Sequence, residues 1–208
     1  MLIHPTDTIL FTGDSITDCG RIREEAGHLG SGYPAFIAAR LQAKLAAPKL
    51  RIFNRGISGD RSKDLLARVN PDLLALKPTV LSILIGINDV WRRYDSNDPT
   101  SLEAFEKNYR TLLEKVREAL DVRVILLEPF VLHVPKDRHA WREDLNPKID
   151  AVRRLSLEFG TEYLPLDGLL AQAAAKAGPA FWAADGVHPT AAGHALIAQA
   201  WLENAGLA

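Results

Sequence analysis

Five short runs rich in β-branched and apolar residues, each followed by a longer stretch with apolar residues at helical spacing, constrain this chain more than any other feature. The runs Thr8 to Thr12, Arg51 to Asn54, Val80 to Ile85, Val122 to Leu127 and Glu162 to Leu166 predict strands. Tyr33 to Ala46, Ser62 to Leu76, Ser101 to Ala119, Leu145 to Phe159, Leu169 to Ala177 and Thr190 to Asn204 predict helices. Strands that alternate with helices pair in parallel through crossovers, and the helices then cover both faces of one sheet. The expected fold is therefore α/β, a three-layer sandwich. Val80 to Ile85 is almost wholly apolar, as a central strand buried on both faces must be. No repeat, low-complexity tract or Gly/Ser-rich linker divides the 208 residues, so residues 1–208 are expected to form a single domain around one core.

Composition narrows the partners. Hydrophobic residues make up 47% of the chain and charged residues 25%, the balance of a globular protein. With 25 Lys and Arg against 26 Asp and Glu there is no broad basic field to attract a nucleic acid. Cys19 is the sole cysteine and can form no internal disulfide. The start MLIHPTDTILFTGDS lacks a basic n-region, a long apolar run and a cleavage site, so a cytoplasmic location is expected. No apolar stretch approaches the roughly 20 residues that cross a bilayer, and no membrane partner is expected.

In open parallel sheets ligands bind at the C-terminal ends of the strands. The segments there are polar and glycine-rich: Gly13-Asp14-Ser15-Ile16-Thr17-Asp18 after the first strand, Asn54-Arg55-Gly56-Ile57-Ser58-Gly59-Asp60 after the second and Gly86-Ile87-Asn88-Asp89 after the third. Near the end stands Asp185-Gly186-Val187-His188-Pro189. These pieces suit acyl transfer. Ser15 sits at a strand-to-helix turn, exposed to substrate, with its own N–H able to face an oxyanion. Its hydroxyl needs a base, for which His188 is the candidate. Asp185, three residues earlier, can fix the imidazole tautomer and balance the imidazolium. Gly59, through its N–H, and Asn88, through its amide, are candidate further donors to the oxyanion. Each block alone is a common turn or cap motif; the four together, in this order and at strand ends, carry the signal.

In that conjunction the chain resembles the SGNH (GDSL-like) hydrolase family, from Gly13 in the first block to His188 in the last. The resemblance implies a flavodoxin-like sandwich with a five-stranded parallel sheet. It assigns Ser15 as nucleophile, His188 as base and Asp185 as its partner, with Ser15, Gly59 and Asn88 as the oxyanion hole. Within the family, Gly-Asp-Ser-Ile-Thr-Asp-Cys-Gly and Ile-Gly-Ile-Asn-Asp-Val-Trp-Arg are similar to strings of intracellular bacterial acetylxylan esterases. This implies deacetylation of xylo-oligosaccharides or related sugars without cofactor or metal, and a homo-oligomer. Those esterases tend to carry Trp immediately before the triad Asp; here that residue is Ala184, and Trp182 lies two positions further back. The same machinery serves longer acyl chains and thioesters, and a carbohydrate-binding protein without catalysis is the reading from outside the enzymes.

Several residues admit two readings. Asp14 braces the serine turn or touches substrate. Trp91, Arg92 and Tyr94 follow the Asn88 block and line the site, or Trp91 caps the core. The irregular segment Pro129 to Asp144 is a flap or a solvated connection. Trp141 and Trp201 serve an interface or close the core. Cys19 reads as packing, and the histidines show no metal-ligand spacing.

Overall fold

The computed structural model describes residues 3–207. Strand β1 (Thr8–Gly13) turns directly into a short helix, α1 (Ser15–Asp18), and α2 (Tyr33–Leu45) returns the chain to β2 (Arg51–Gly56). Helices α3 (Ser62–Ala67) and α4 (Val69–Asp72) precede β3 (Val80–Leu84), and α5 (Ile87–Asp95) and α6 (Leu102–Ala119) precede β4 (Arg123–Leu127). Then follow α7 (Arg142–Phe159), β5 (Glu162–Leu164), α8 (Leu166–Ala177), α9 (Pro179–Trp182) and α10 (Ala191–Asn204). The five strands form one wholly parallel sheet in the order β2-β1-β3-β4-β5.

Alternation along the strands divides the apolar residues between two faces. Ile9, Phe11, Val80, Leu84, Ile125 and Leu127 pack with Tyr33, Ile37 and Leu41 of α2 and with Ile197 and Trp201 of α10. Leu10, Leu81, Ile83 and Leu126 point the other way, against Leu65 of α3 and Phe105, Tyr109 and Leu112 of α6. Helix α7 contributes to both sides, Leu145 and Ile149 to the first and Val152 and Leu155 to the second. The result is the expected α/β/α sandwich. Trp141 and Trp201 are both buried in this core, which settles their two readings in favour of packing.

The predicted helix Ser62 to Leu76 is broken. Pro71 has no N–H for the Ala67 carbonyl and its ring would clash with that group, so the chain divides into α3, α4 and a 3₁₀ turn (Leu74–Leu76). The strand predicted to reach Leu166 ends at Leu164, because α8 begins two residues on, after Pro165. Helix α5 was not anticipated: Ile87, Val90, Trp91 and Tyr94 do recur at helical spacing, but over only nine residues that begin inside the Gly86-Ile87-Asn88-Asp89 block. Segment 129–144 is solvated in its middle, where His133, Pro135, Lys136, Asp137, His139 and Ala140 are exposed, and anchored in the core at both ends. Phe130, Val131, Leu132 and Trp141 are buried, and a 3₁₀ turn (Lys136–Trp141) leads into α7.

One polar group lies inside the central strand. Ser82 is fully buried and its Oγ accepts the Trp201 Nε1–H at 3.2 Å, tying α10 to β3. Trp201→Phe is expected to cost about 1–3 kcal/mol, the price of an unpaired buried hydroxyl and lost packing, measured by denaturant unfolding. Adding Ser82→Ala should recover part of that loss, because the hydroxyl left without its partner is then gone.

Candidate active site

The sheet register lines up the C-terminal ends of its first strands. Gly13 of β1 lies opposite Gly56 of β2 on one side and Leu84 of β3 on the other. The segments that follow therefore open at one edge, at the point where the strand order reverses and α/β sheets bind ligands. Gly13 has φ +156°, and a Cβ there would strike the Leu84 carbonyl oxygen and lie 2.6 Å from Thr17 Oγ1. Glycine alone fits. The chain then turns at Asp14, whose Oδ1 accepts the Ile16 N–H at 3.0 Å, and Ser15 becomes the first residue of α1.

From the far end of the sequence, His188 meets this turn. Its Nε2 is 2.9 Å from Ser15 Oγ, and its Nδ1 is 2.6 Å from Asp185 Oδ2. The other carboxylate oxygen of Asp185 accepts the N–H groups of Val187 at 3.0 Å and His188 at 2.8 Å, so the acid is held by its own loop. Gly59 is exposed at the tip of the turn after β2. Among the described residues neither its N–H nor that of Ser15 is taken up by another protein group. Asn88 is buried at the start of α5; its Nδ2 donates one hydrogen to the Asp60 carbonyl at 3.0 Å, leaving the second. Its neighbour Asp89 accepts the Ser62 N–H at 2.9 Å and hydroxyl at 2.8 Å, which fastens the block after β3 to the start of α3.

The remaining candidates are placed as follows. Asp14 is 1% exposed, with Oδ2 buried and unpaired, so its position is that of a brace for the serine turn. The Trp91 ring lies 5.7 Å from that of His188 and 5.3 Å from that of Trp141, half-buried beside the histidine. Arg92 pairs with Asp95 at 2.9 Å and leans over Trp91. Tyr94 stacks on Trp141 and donates its hydroxyl hydrogen to the Ala140 carbonyl at 3.0 Å. Of these three, Trp91 alone makes ring contact with His188. Ala184 is exposed, and Trp182 does not replace the missing aromatic there: it lines a groove with Phe36, Phe181 and Leu196 on the face of α2 and α10.

Sequence reasoning missed two contributors. Arg138, from segment 129–144, donates its Nε–H to the Asp185 carbonyl at 3.3 Å. His194 is buried and its Nδ1 accepts the Tyr33 N–H at 3.2 Å, which puts its proton on Nε2, 3.3 Å from Cys19 Sγ. In that tautomer it is a donor to the thiol and no base. Neither residue stands in a recognisable spacing; both contacts span long stretches of sequence. Among the described residues no cluster of three His, Cys, Asp or Glu could hold a metal, and no helix is long and apolar enough to cross a membrane.

The electrostatics separate the two histidines. The hydrogen bond to Asp185 raises the His188 pKa above the usual imidazole value, partial burial opposes it, and the charges of Asp185 and Asp14 add to the rise. Burial pushes the Asp185 carboxyl up, but the His188 ring and the two N–H groups outweigh it and hold it well below the carboxylate range. Burial lifts Asp14 to about 7 and drops His194 to about 4. Between the unfolded His194 value and about 4 the unfolded chain binds a proton that the folded chain refuses, so stability falls as pH drops through that window. In an NMR titration His188 should titrate above the ordinary imidazole value and His194 near 4, and Asp185→Asn should move the His188 midpoint down while leaving His194 in place.

Known proteins share this arrangement of sequence and fold. The sequence profile of the GDSL-like lipase/acylhydrolase family matches residues 11–196. An acetylxylan esterase of Geobacillus stearothermophilus is 35% identical, over 99% of this chain and 97% of that protein. The crystal structure of Axe2, an acetylxylan esterase from the same organism, superposes with a TM-score of 0.88 at 34% identity, covering 99% of this chain and 97% of the other. That of LAE5, an α/β hydrolase enzyme from the metagenome of Lake Arreo, gives 0.89 at 33% identity, covering 97% and 95%. The chain belongs to the GDSL-like lipase/acylhydrolase family, and it is an esterase.

Proposed function

We propose that the chain is a serine carboxylesterase that removes acetyl groups from xylo-oligosaccharides or related sugars through an acyl-enzyme. The observation that carries the reading is the unbroken relay from Ser15 Oγ through His188 to Asp185, at 2.9 and 2.6 Å, with the N–H groups of Ser15 and Gly59 left unpaired among the described residues. Ionised Asp185 accepts from Nδ1 and so selects the tautomer whose Nε2 is free to take the Ser15 proton. The attack of Oγ on the ester carbonyl forms a tetrahedral oxyanion, met by the N–H groups of Ser15 and Gly59 and the spare amide hydrogen of Asn88. His188 then gives its proton to the departing sugar hydroxyl, leaving an acetyl-serine. Water repeats the sequence, with His188 as base, and releases acetate.

The choice of an acetylated sugar is supported by the relatives named acetylxylan esterase, each aligned over nearly the whole chain. The residue before Asp185 is the exposed Ala184, where the resemblance leads one to expect an aromatic.

Ser15→Ala should lower turnover of an aryl acetate by at least about 10⁴-fold with the melting temperature preserved; wild-type turnover would sink the assignment. Asn88→Ala should cost about 10²–10³ in kcat. For the substrate, kcat/KM on acetylated xylo-oligosaccharides is expected to exceed that on simple acetate and octanoate esters, and a preference for octanoate would favour a long-chain esterase instead.

A further inference from the structure

Segment 129–144 and the Asp185–His188 loop are docked on each other. The Gly186 carbonyl accepts the Leu132 N–H at 2.8 Å. Gly186 has φ +81°, and a Cβ on it would run into the carbonyl oxygens of Leu132 and Val134 and approach Arg138 Cγ at 3.3 Å. Arg138 reaches across this junction. Its Nε–H donates to the Asp185 carbonyl, and its guanidinium lies 4.1 Å from the Trp141 ring centroid and 5.3 Å from that of Trp91. The side chain is 13% exposed, and its charge is met by the exposed carboxylate of Asp137 at 2.8 Å. Trp91 in turn lies against the His188 ring.

We propose that Arg138 is a positioning residue for the proton relay: one planar cation, set against two indoles, fixes both the acid behind the His188 imidazole and the aromatic ring beside it. Guanidinium suits this role because it stacks on an aromatic face and still presents an in-plane N–H, which an ammonium cannot do. The imidazole must receive the Ser15 proton and return it to the leaving oxygen without a change of place, and a displacement of about 1 Å can cost on the order of 100-fold in rate. The inference rests on the reading of Ser15, His188 and Asp185 given above.

The test compares wild type with Arg138→Ala and Arg138→Lys. Each is titrated with an organophosphonate that labels Ser15, and aryl acetate hydrolysis is expressed per titrated site, with thermal unfolding in parallel. Arg138→Ala should lower kcat per titrated site by about 10- to 100-fold with KM close to wild type, and Arg138→Lys should restore only part of it. A residue needed only for folding would lower the melting temperature and the titrated fraction, and leave kcat per site unchanged; that result overturns the proposal. Full recovery in Arg138→Lys also overturns it, since charge alone would then suffice. Should Arg138→Ala not fold, Arg138→Lys decides by the same quantity: kcat per titrated site below wild type supports the proposal, and wild-type kcat rejects it. If the wild type itself is not labelled at Ser15, the reading of Ser15 fails and the role of Arg138 with it. A labelled wild type with unaltered variants removes Arg138 alone.

Discussion

The site depends on a place where no side chain fits. At Gly13 the end of β1 passes so close to the Leu84 carbonyl of β3 that a Cβ would collide with it, and from this point the chain must swing out of the sheet into α1. A residue with a side chain would push β1 away from β3, and the serine turn with it. Because Gly13 stands in register with Gly56 and Leu84, the same contact also decides how far the blocks after β2 and β3 lie from Ser15. Buried hydrogen bonds then maintain that spacing: Asn88 to the Asp60 carbonyl, and Ser62 to Asp89.

The other half of the site arrives without help from the sheet. Asp185 and His188 lie between α9 and α10, and their loop is placed by what it packs against. A bridge between Ala183 and Pro189 closes its base, Thr190 donates its N–H to the Trp182 carbonyl at 2.8 Å, and segment 129–144 covers its back. The three residues of the relay therefore have different mechanical supports. Ser15 is held by strand register, and the acid and histidine by loop-to-loop docking. A side chain that spans the docked loops, as Arg138 does, has correspondingly more influence on the geometry of transfer than its distance from Ser15 suggests.

Much of this was legible in the residues because buried parallel strands advertise themselves. Val80 to Leu84 could hardly be anything else, and glycine-rich polar blocks after such strands point to the ligand-binding edge. What could not be read depends on single residues overriding a pattern or on contacts between distant segments. Pro71 broke a helix whose apolar spacing was otherwise sound, and α5 is only nine residues long and starts within the block that follows β3. Trp141 lies among charged residues, and Trp201 lies in a helix so evenly apolar that no one face stands out, so only packing could show that both are enclosed. Arg138 looked like one more charge in an irregular segment, and nothing in its spacing from Trp91 or Asp185 marks the contact.

The central claim is that Ser15 carries the acyl group between the two halves of the reaction. Acid quenching of the wild-type enzyme during turnover of an aryl acetate, followed by peptide mass spectrometry, reads this directly. The account predicts one acetyl group on the peptide containing Ser15, located on that residue and absent before substrate is added. An acetyl group on Cys19, or turnover at full rate with no acetylated peptide at all, would contradict it.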